Sequence, residues 1–251
     1  KKDDLEKAIN QNKLSCKEKI SNYKIQKSLM ERNEGYFYSV SDFLKKTKNT
    51  EIEKLYINTL ANLITVKSGY EEIIENLIGQ GLQNIVTWSK KDTREIINFV
   101  NKNKLGRITF LPLDSIKQNK KARVEEKEVI AMAYDLVSFD SKLENIINHF
   151  LSNTVVVKNI DDAVSLSNKI KGYRIISLNL DLINTWGSMV AGVNKARKSN
   201  INILNRNKKI NEIKSRINKL RNERNDLLEN YNSLNIELEE NQRLRQKKED
   251  E

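Results

Sequence analysis

Asn62-Leu63-Ile64-Thr65-Val66 and Asp135-Leu136-Val137-Ser138-Phe139 carry one pattern twice, and that repetition decides the fold. Continuing without a gap, Glu71, Ile73, Ile74 and Leu77 fall on Glu144, Ile146, Ile147 and Phe150. After a three-residue deletion, Ile85-Val86 matches Val155-Val156, and Asp92, Ile96 and Val100 match Asp162, Leu166 and Ile170. A further three-residue shift sets Arg107-Ile108-Thr109-Phe110-Leu111 on Arg174-Ile175-Ile176-Ser177-Leu178, with Leu113-Asp114 on Leu180-Asp181. Each copy reads strand, helix, strand, helix, strand. The strands are short and rich in Ile and Val, which suit a pleated, buried surface. The helices place apolar residues at i, i+3 and i+4, as with Ile73, Ile74, Leu77 and Ile78. Alternating strands and helices predict a layered α/β fold. Asp92 followed by Glu95 reads as a cap at a helix start, and Gly79, Gly106 and Gly172 as left-handed stops after helices. Lys117 to Glu128 is polar and charged and reads as a linker between the copies.

Outside this middle the chain changes character. All eight Gly and the single Pro lie between Gly35 and Gly192. In the C-terminal flank, Ile203, Ile210, Ile217, Arg224, Tyr231, Leu238 and Arg245 recur every seven residues. Ile213, Leu220, Leu227, Leu234 and Asn241 form a second row three residues on. Two narrow rows with charged residues between them are the seam of a coiled coil. A helix from about Lys195 to Glu251 would run ~85 Å at the usual rise per residue. The N-terminal flank has a weaker stripe of Leu5, Ile9, Asn12, Cys16, Lys19, Tyr23, Gln26 and Met30, with Cys16 a small seam residue. Antiparallel pairing of the two flanks with each other needs no outside partner. The reading is therefore an α/β (α+β) domain of two pseudo-symmetric βαβαβ-like halves, flanked by an antiparallel two-helix coiled coil. Its expected divisions are an arm at 1–33, subdomain I at 34–116, a linker at 117–129, subdomain II at 130–193 and an arm at 194–251.

Several motifs in the middle resemble those of hinge domains of bacterial-type SMC (structural maintenance of chromosomes) proteins. Gly106-Arg107-Ile108-Thr109-Phe110-Leu111-Pro112-Leu113 resembles the signature GRxTFLPL. Leu178-Asn179-Leu180-Asp181-Leu182-Ile183-Asn184 resembles TLDGDLIN, and Gly35-Tyr36 resembles the EGY at the hinge entry. Gly187-Ser188-Met189 with Gly192 resembles the end of the glycine-rich GGSMTGG. The resemblance covers residues 34 to 192, with the motifs in the family's order. It implies a domain at the apex of a long antiparallel coiled coil, and a homodimer of hinges joined through the glycine-rich motif. That motif falls on Trp186, Gly187, Ser188, Met189, Val190, Ala191 and Gly192. It also implies ATPase heads at the far ends of the arms, where a kleisin and accessory subunits join. The motif is altered here: Trp186 and Ala191 stand at glycine positions and Val190 at the usual Thr. Trp186 then either avoids the contact, as a local packing residue, or alters it.

The formal net charge is +11, which favours a polyanionic partner. It is unevenly placed. Lys195 to Arg224 holds eleven basic residues against two acidic, and from Asn225 onward four basic face eight acidic. Clustered Lys and Arg without base-reading chemistry suit a phosphate backbone. The family resemblance implies DNA contact just after the glycine motif, and the candidates are Lys195, Arg197, Lys198, Arg206, Lys208 and Lys209. The competing bland reading is a solvated coiled-coil surface.

The sequence argues against several other chemistries. It has no G-x-x-x-x-G-K-[ST] phosphate loop. Gly79-Gln80-Gly81 lacks the third glycine of a dinucleotide fingerprint and precedes a strand instead of a helix. One Cys and one His, His149, make neither a disulfide, a metal site nor a triad, so no cofactor and no catalysis are expected. His149 is expected on the exposed side of its helix, and Asp114 and Asp181 as turn caps. No apolar run reaches the ~20 residues that span a bilayer, so no membrane partner is expected. A lone Cys points to reducing cytoplasm, with the nucleoid as the expected place. The chain opens Lys1-Lys2-Asp3 without an initiator Met and is expected to be a segment of a longer, ATPase-bearing protein. Two alternatives stand beside the DNA-contacting dimerisation hinge. One is a coiled-coil scaffold that binds protein only; the other is a nucleotide-binding α/β domain inserted in a helical scaffold.

Overall fold

The computed structural model describes residues 1–31, 36–117, 122–191 and 203–249. Helix α1 (Lys2–Glu31) comes first, followed by α2 (Tyr38–Thr47). The first copy comprises β1 (Tyr56–Thr59), α3 (Leu60–Leu63), β2 (Ile64–Val66), α4 (Glu71–Ile78), β3 (Ile85–Thr87), α5 (Lys90–Lys102) and β4 (Phe110–Pro112). The second comprises β5 (Val129–Met132), a 3-10 turn over Ala133–Leu136, β6 (Val137–Phe139), α6 (Glu144–Leu151), β7 (Thr154–Val157), α7 (Ile160–Lys169) and β8 (Arg174–Ser177). Strands β9 (Leu182–Ile183) and β10 (Met189–Val190) follow, and then α8 (Ile203–Glu249). The chain divides into two units: residues 33–205, and the helical pair of 1–32 with 206–251.

In the unit of residues 33–205 the copies build matching sheets, ordered β1-β3-β4 and β10-β9-β8-β7-β5. In both, the first strand of the copy is antiparallel to the central one, and the last is parallel to it. Even the irregularity is shared: register slips between Tyr56 and Asn58 in one, and between Val129 and Ala131 in the other. Each copy is thus one strand longer than its sequence pattern shows. Tyr56-Ile57-Asn58-Thr59 and Val129-Ile130-Ala131-Met132 share only the Ile, too little to be recognised.

The two copies meet around a local twofold. β2 pairs antiparallel with β6, Ile64 facing Phe139, Thr65 facing Ser138 and Val66 facing Val137. Thr65 and Ser138 are each other's counterparts in the repeat, so the axis passes between them. Residues of both copies fill one shared core, including Ile74, Leu77, Val86, Ile146, Ile147 and Val156. Each central strand alternates between cores. Val86 faces the shared core while Ile85 faces a second one with Phe43, Ile96 and Val100. Val156 faces the shared core while Val155 and Val157 face a third with Ala163 and Leu166. This period of two explains why all three β3 residues and all four β7 residues are buried.

Arg174 sits on that axis. Its Nη1 donates to the Leu77 carbonyl at 3.4 Å, its Nη2 donates to the Phe150 carbonyl, and its Nε donates to Thr154 Oγ1 at 3.0 Å. Leu77 and Phe150 are repeat counterparts at the C-terminal ends of α4 and α6. One guanidinium therefore serves orphan carbonyls of both helices, where a cation also suits the helix dipoles. Burial pushes the Arg174 pKa below its ordinary value.

Two details correct the sequence reading. Ile85 faces Phe110 whereas Val155 faces Ile175, so the structural counterpart of Arg174 is Thr109, two residues from the Arg107 that the pattern matched. The cap of α5 is Ser89, whose Oγ accepts from the Asp92 amide at 3.1 Å and donates to Asp92 Oδ2 at 2.6 Å. Its counterpart Asn159 caps α7 by accepting from the Asp162 amide at 2.9 Å. Gly79, Gly106 and Gly172 do take the expected positive φ, and Lys104, just past α5, is left-handed as well.

In the helical pair, Cys16 is buried with Ile217 and Leu220, and Ile20, Tyr23 and Ile213 pack around them. Farther along, Tyr231 Oη donates to Glu6 Oε1 at 2.6 Å, and Lys2 Nζ lies 5.5 Å from the Tyr231 ring centroid. Moving from residue 16 to residue 6 on α1 thus moves toward the C-terminus on α8, as antiparallel pairing requires. Lys19 is exposed and Ile20 takes its expected seam place. The α8 seam is sheltered from Ile210 to Leu234, and from Ile236 to Gln246 the described side chains are exposed.

Candidate dimer and nucleic-acid interface

The altered glycine motif folds into a hairpin at the rim of the larger sheet. β9 pairs on one side with β8 and on the other with β10, Ile183 facing Met189 and Leu182 facing Val190. Asn184 closes the turn between them. Its amide donates to the Ser188 carbonyl at 2.8 Å, its carbonyl accepts from the Gly187 amide at 2.9 Å, and its Nδ2 donates to Ser188 Oγ at 2.8 Å. Gly187 has φ +99°, and a Cβ built there meets no atom within 4 Å. The turn therefore needs glycine for its backbone conformation and not for lack of room. The space above that backbone is open.

Trp186 stands at the outer corner of this turn and is 80% exposed. That overturns its reading as a local packing residue: the turn aims it away from the sheet. Met189 and Val190 are 55% and 52% exposed, and Ala191 is exposed. Ser188 is half-buried by its bonds to Asn184. Gly192 lies outside the described residues. β10 is paired only with β9, so its outer edge is unpaired among the described residues. At the other sheet, β4 is likewise paired on one side only, with β3. Pro112 ends β4, a position where its missing N–H costs no ladder bond on the open edge.

Of the basic residues singled out in the sequence, Lys209 is exposed on α8, and Arg206 and Lys208 lie in the same helix. Lys195, Arg197 and Lys198 lie outside the described residues. Other features of the site are chemically plain. Among the described residues no group of three His, Cys, Asp or Glu could hold a metal ion, and no helix is long and apolar enough to cross a membrane. His149 is exposed, its ring edge-on to Phe150 at 5.2 Å. Asp114 accepts from the Lys90 amide at 2.9 Å and so tethers the start of α5, while Asp181 accepts from Ser177 Oγ at 3.0 Å. Both are occupied with turns, as the sequence suggested.

Comparisons with known proteins bear on this arrangement. The sequence profile of the family described as SMC proteins Flexible Hinge Domain matches residues 53–167. The chromosome partition protein Smc of Methanocaldococcus jannaschii is 36% identical over 160 residues, which are 62% of this chain and 14% of that protein. Its namesake in Desulfitobacterium hafniense is 32% identical over 203 residues, 78% of this chain and 17% of that protein. The chain thus spans less than a fifth of the length of these relatives. Among solved structures, an asymmetric dimer of the Geobacillus stearothermophilus SMC hinge domain superposes with a TM-score of 0.85 at 22% identity, covering 94% of this chain and 96% of that one. The Pyrococcus furiosus SMC hinge domain gives 0.51 at 25% identity, covering 68% and 88%.

Proposed function

Because the chain carries an SMC flexible-hinge domain over residues 53–167, we propose that it joins two copies of itself through the β9–β10 hairpin and holds DNA on the adjoining arm without reading base sequence. One observation carries the dimer reading: β10 is an apolar strand at a sheet rim, paired on one side only. An unpaired edge is a template for another strand, and β4 of a second copy offers a matching one. If β10 of each copy pairs with β4 of the other, the twofold closes and leaves no free partner. The open space above Gly187 lets a second backbone approach, and Met189, Val190 and Trp186 supply the apolar surface. The Geobacillus hinge, a dimer in its crystal, supports this reading.

The DNA reading is supported by charge. Lys195, Arg197, Lys198, Arg206, Lys208 and Lys209 follow the hairpin directly, and the sign of the charge reverses farther along α8. Such a cluster binds phosphates, releases counterions and weakens steeply with salt. In the intact protein this hinge would tie together two subunits of a chromosome-partition ATPase in the cytoplasm, at the nucleoid. Kleisin and accessory subunits would engage head domains beyond this chain.

Light scattering coupled to size exclusion tests the dimer. The native chain should elute with twice its sequence mass, and Met189→Asp with Val190→Asp should halve it. Retention of the doubled mass by that variant would remove β10 from the interface. Fluorescence anisotropy with a mixed-sequence duplex tests the second part. Charge reversal of Lys195, Arg197 and Lys198 together should weaken binding by about tenfold or more at low salt and flatten the salt slope. Affinity unmoved by both the triple change and raised salt would leave a protein-only scaffold.

A further inference from the structure

A second place in the unit of residues 33–205 has the chemistry of a ligand site. A cavity of about 410 Å³ opens beside α2 and the start of β4. Its polar lining includes Gln80, Gln83, Asn84, Arg107 and Thr109. Gln83 is 2% exposed, and its Nε2 has no hydrogen-bond partner. The orientation of that amide is fixed, because Oε1 accepts from the Phe37 backbone amide at 2.5 Å and a flipped amide could not. Gln83 lines the cavity, and its fixed amide holds a donor with nothing to receive it. Buried polar groups are almost always paired, so each exception calls for an explanation.

The cation beside it is Arg107, an exposed residue of the cavity lining. Its backbone carbonyl accepts from Ser39 Oγ at 2.9 Å, but among the described residues its guanidinium makes no hydrogen bond or ion pair. An arginine of the other copy, at a different position, has a structural role. Arg174 spends its donors on Leu77, Phe150 and Thr154. At the counterpart of the Thr154–Arg174 pair, the first copy has Asn84 and Thr109, both short side chains, and the cavity lies beside them. The lining residues bring one cation, amide donors and the hydroxyls of Ser39 and Thr109, and no carboxylate.

We propose that this cavity is a binding site for a small oxyanion, a phosphate or a carboxylate, held by Arg107 and the free amide donor of Gln83. The planar fork of Arg107 matches two oxygens of either group, and the Gln83 amide fixes a third contact from the buried side. Phe37, Val40 and Ile108 complete the wall, so a short apolar stem on the oxyanion is accommodated. This assignment does not depend on how two copies associate.

The test is an NMR titration of the full chain with inorganic phosphate, and separately with malonate, at ionic strength held constant with chloride. The readout is the side-chain amide resonances of Gln83 and Asn84. At least one oxyanion should shift them saturably in the millimolar range. A response to phosphate alone or to malonate alone supports the site and names its class. Arg107→Ala should weaken binding by about tenfold or more, Arg107→Lys should restore only part of it, and the fold should be unaffected. Gln83→Glu keeps the acceptor for Phe37 but replaces the free donor with a negative oxygen, and should abolish binding while far-UV circular dichroism stays native. The proposal is overturned if neither oxyanion moves the Gln83 resonance, or if Arg107→Ala titrates as the native chain does.

Discussion

The two copies of the repeat share strand order, register and even a bulge, yet they end differently. The first stops at β4, an edge with one free side. The second continues into β9 and β10, which extend its sheet and carry the altered glycine motif. They also differ at the local axis. A single arginine can occupy a twofold position, and the second copy supplies it. The first copy, with Thr109 there, is relieved of that structural duty and keeps Arg107 free. A duplicated unit therefore needs only one of each axial group, and the spare position is open to another use.

Arg174→Met would test this asymmetry most severely. It would strip a donor from the carbonyls of Leu77 and Phe150 and from Thr154 at once, and urea unfolding should show a loss of roughly 2–4 kcal/mol. Arg107→Ala should change stability by less than about 0.5 kcal/mol, as for an exposed side chain without partners. Equal losses at the two arginines would end the distinction. Gly81→Ala comes next. The first copy has a 3-10 turn over Gly79–Gln83, and a Cβ on Gly81 would lie 2.8 Å from Phe150 Cε1 and 3.1 Å from Ile78 Cγ2. Thermal unfolding should show a cost of about 1–3 kcal/mol for that overpacking. Ser89→Ala and Asn159→Ala probe where the copies agree. Each removes one N-cap of equivalent geometry and should cost about 1 kcal/mol, alike within error.

Much of this was legible in the sequence because the repeat is written in apolar spacing. Ile73, Ile74 and Leu77 and their counterparts face one core, and that burial preserves the pattern. Cys16, Ile217 and Leu220 were legible as a seam for the same reason. The register of the last strand was not. A shift of two residues keeps every side chain on its face, so hydrophobic matching cannot distinguish Arg107 from Thr109 as the partner of Arg174. β1 and β5 were missed because their identities diverged while their pairing did not. The exposure of Trp186 follows from a turn that Asn184 and Gly187 close, and nothing in the residue type announces it. The cavity at Gln83 depends on an unpaired amide, which only coordinates reveal.

The smallest expected difference between the copies is electrostatic. Lys169 at the end of α7 bridges Glu126 at 3.2 Å and Glu128 at 2.7 Å, just ahead of β5. The hydrogen bond from Lys169 holds the Glu128 carboxyl below its usual value of 4.5, and Glu128 in turn raises Lys169 above 10.5. Glu128 is lowered on folding, so its contribution is complete above the ordinary carboxylate range and is lost as pH falls through its folded value. Lys169 is raised, so its share is complete below the ordinary lysine range and is lost as pH rises through its folded value. Lys169→Met removes the first cause of the Glu128 shift, while a backbone N–H and Ser165 Oγ, which also donate to that carboxylate, keep part of it. The stability difference between the native chain and Lys169→Met should therefore be flat across neutral pH. It should shrink first on the acid side, below about pH 4.5, where Glu128 takes up its proton. A difference that instead changes across neutral pH would place the relevant titration elsewhere and detach this bridge from the stability of the second copy.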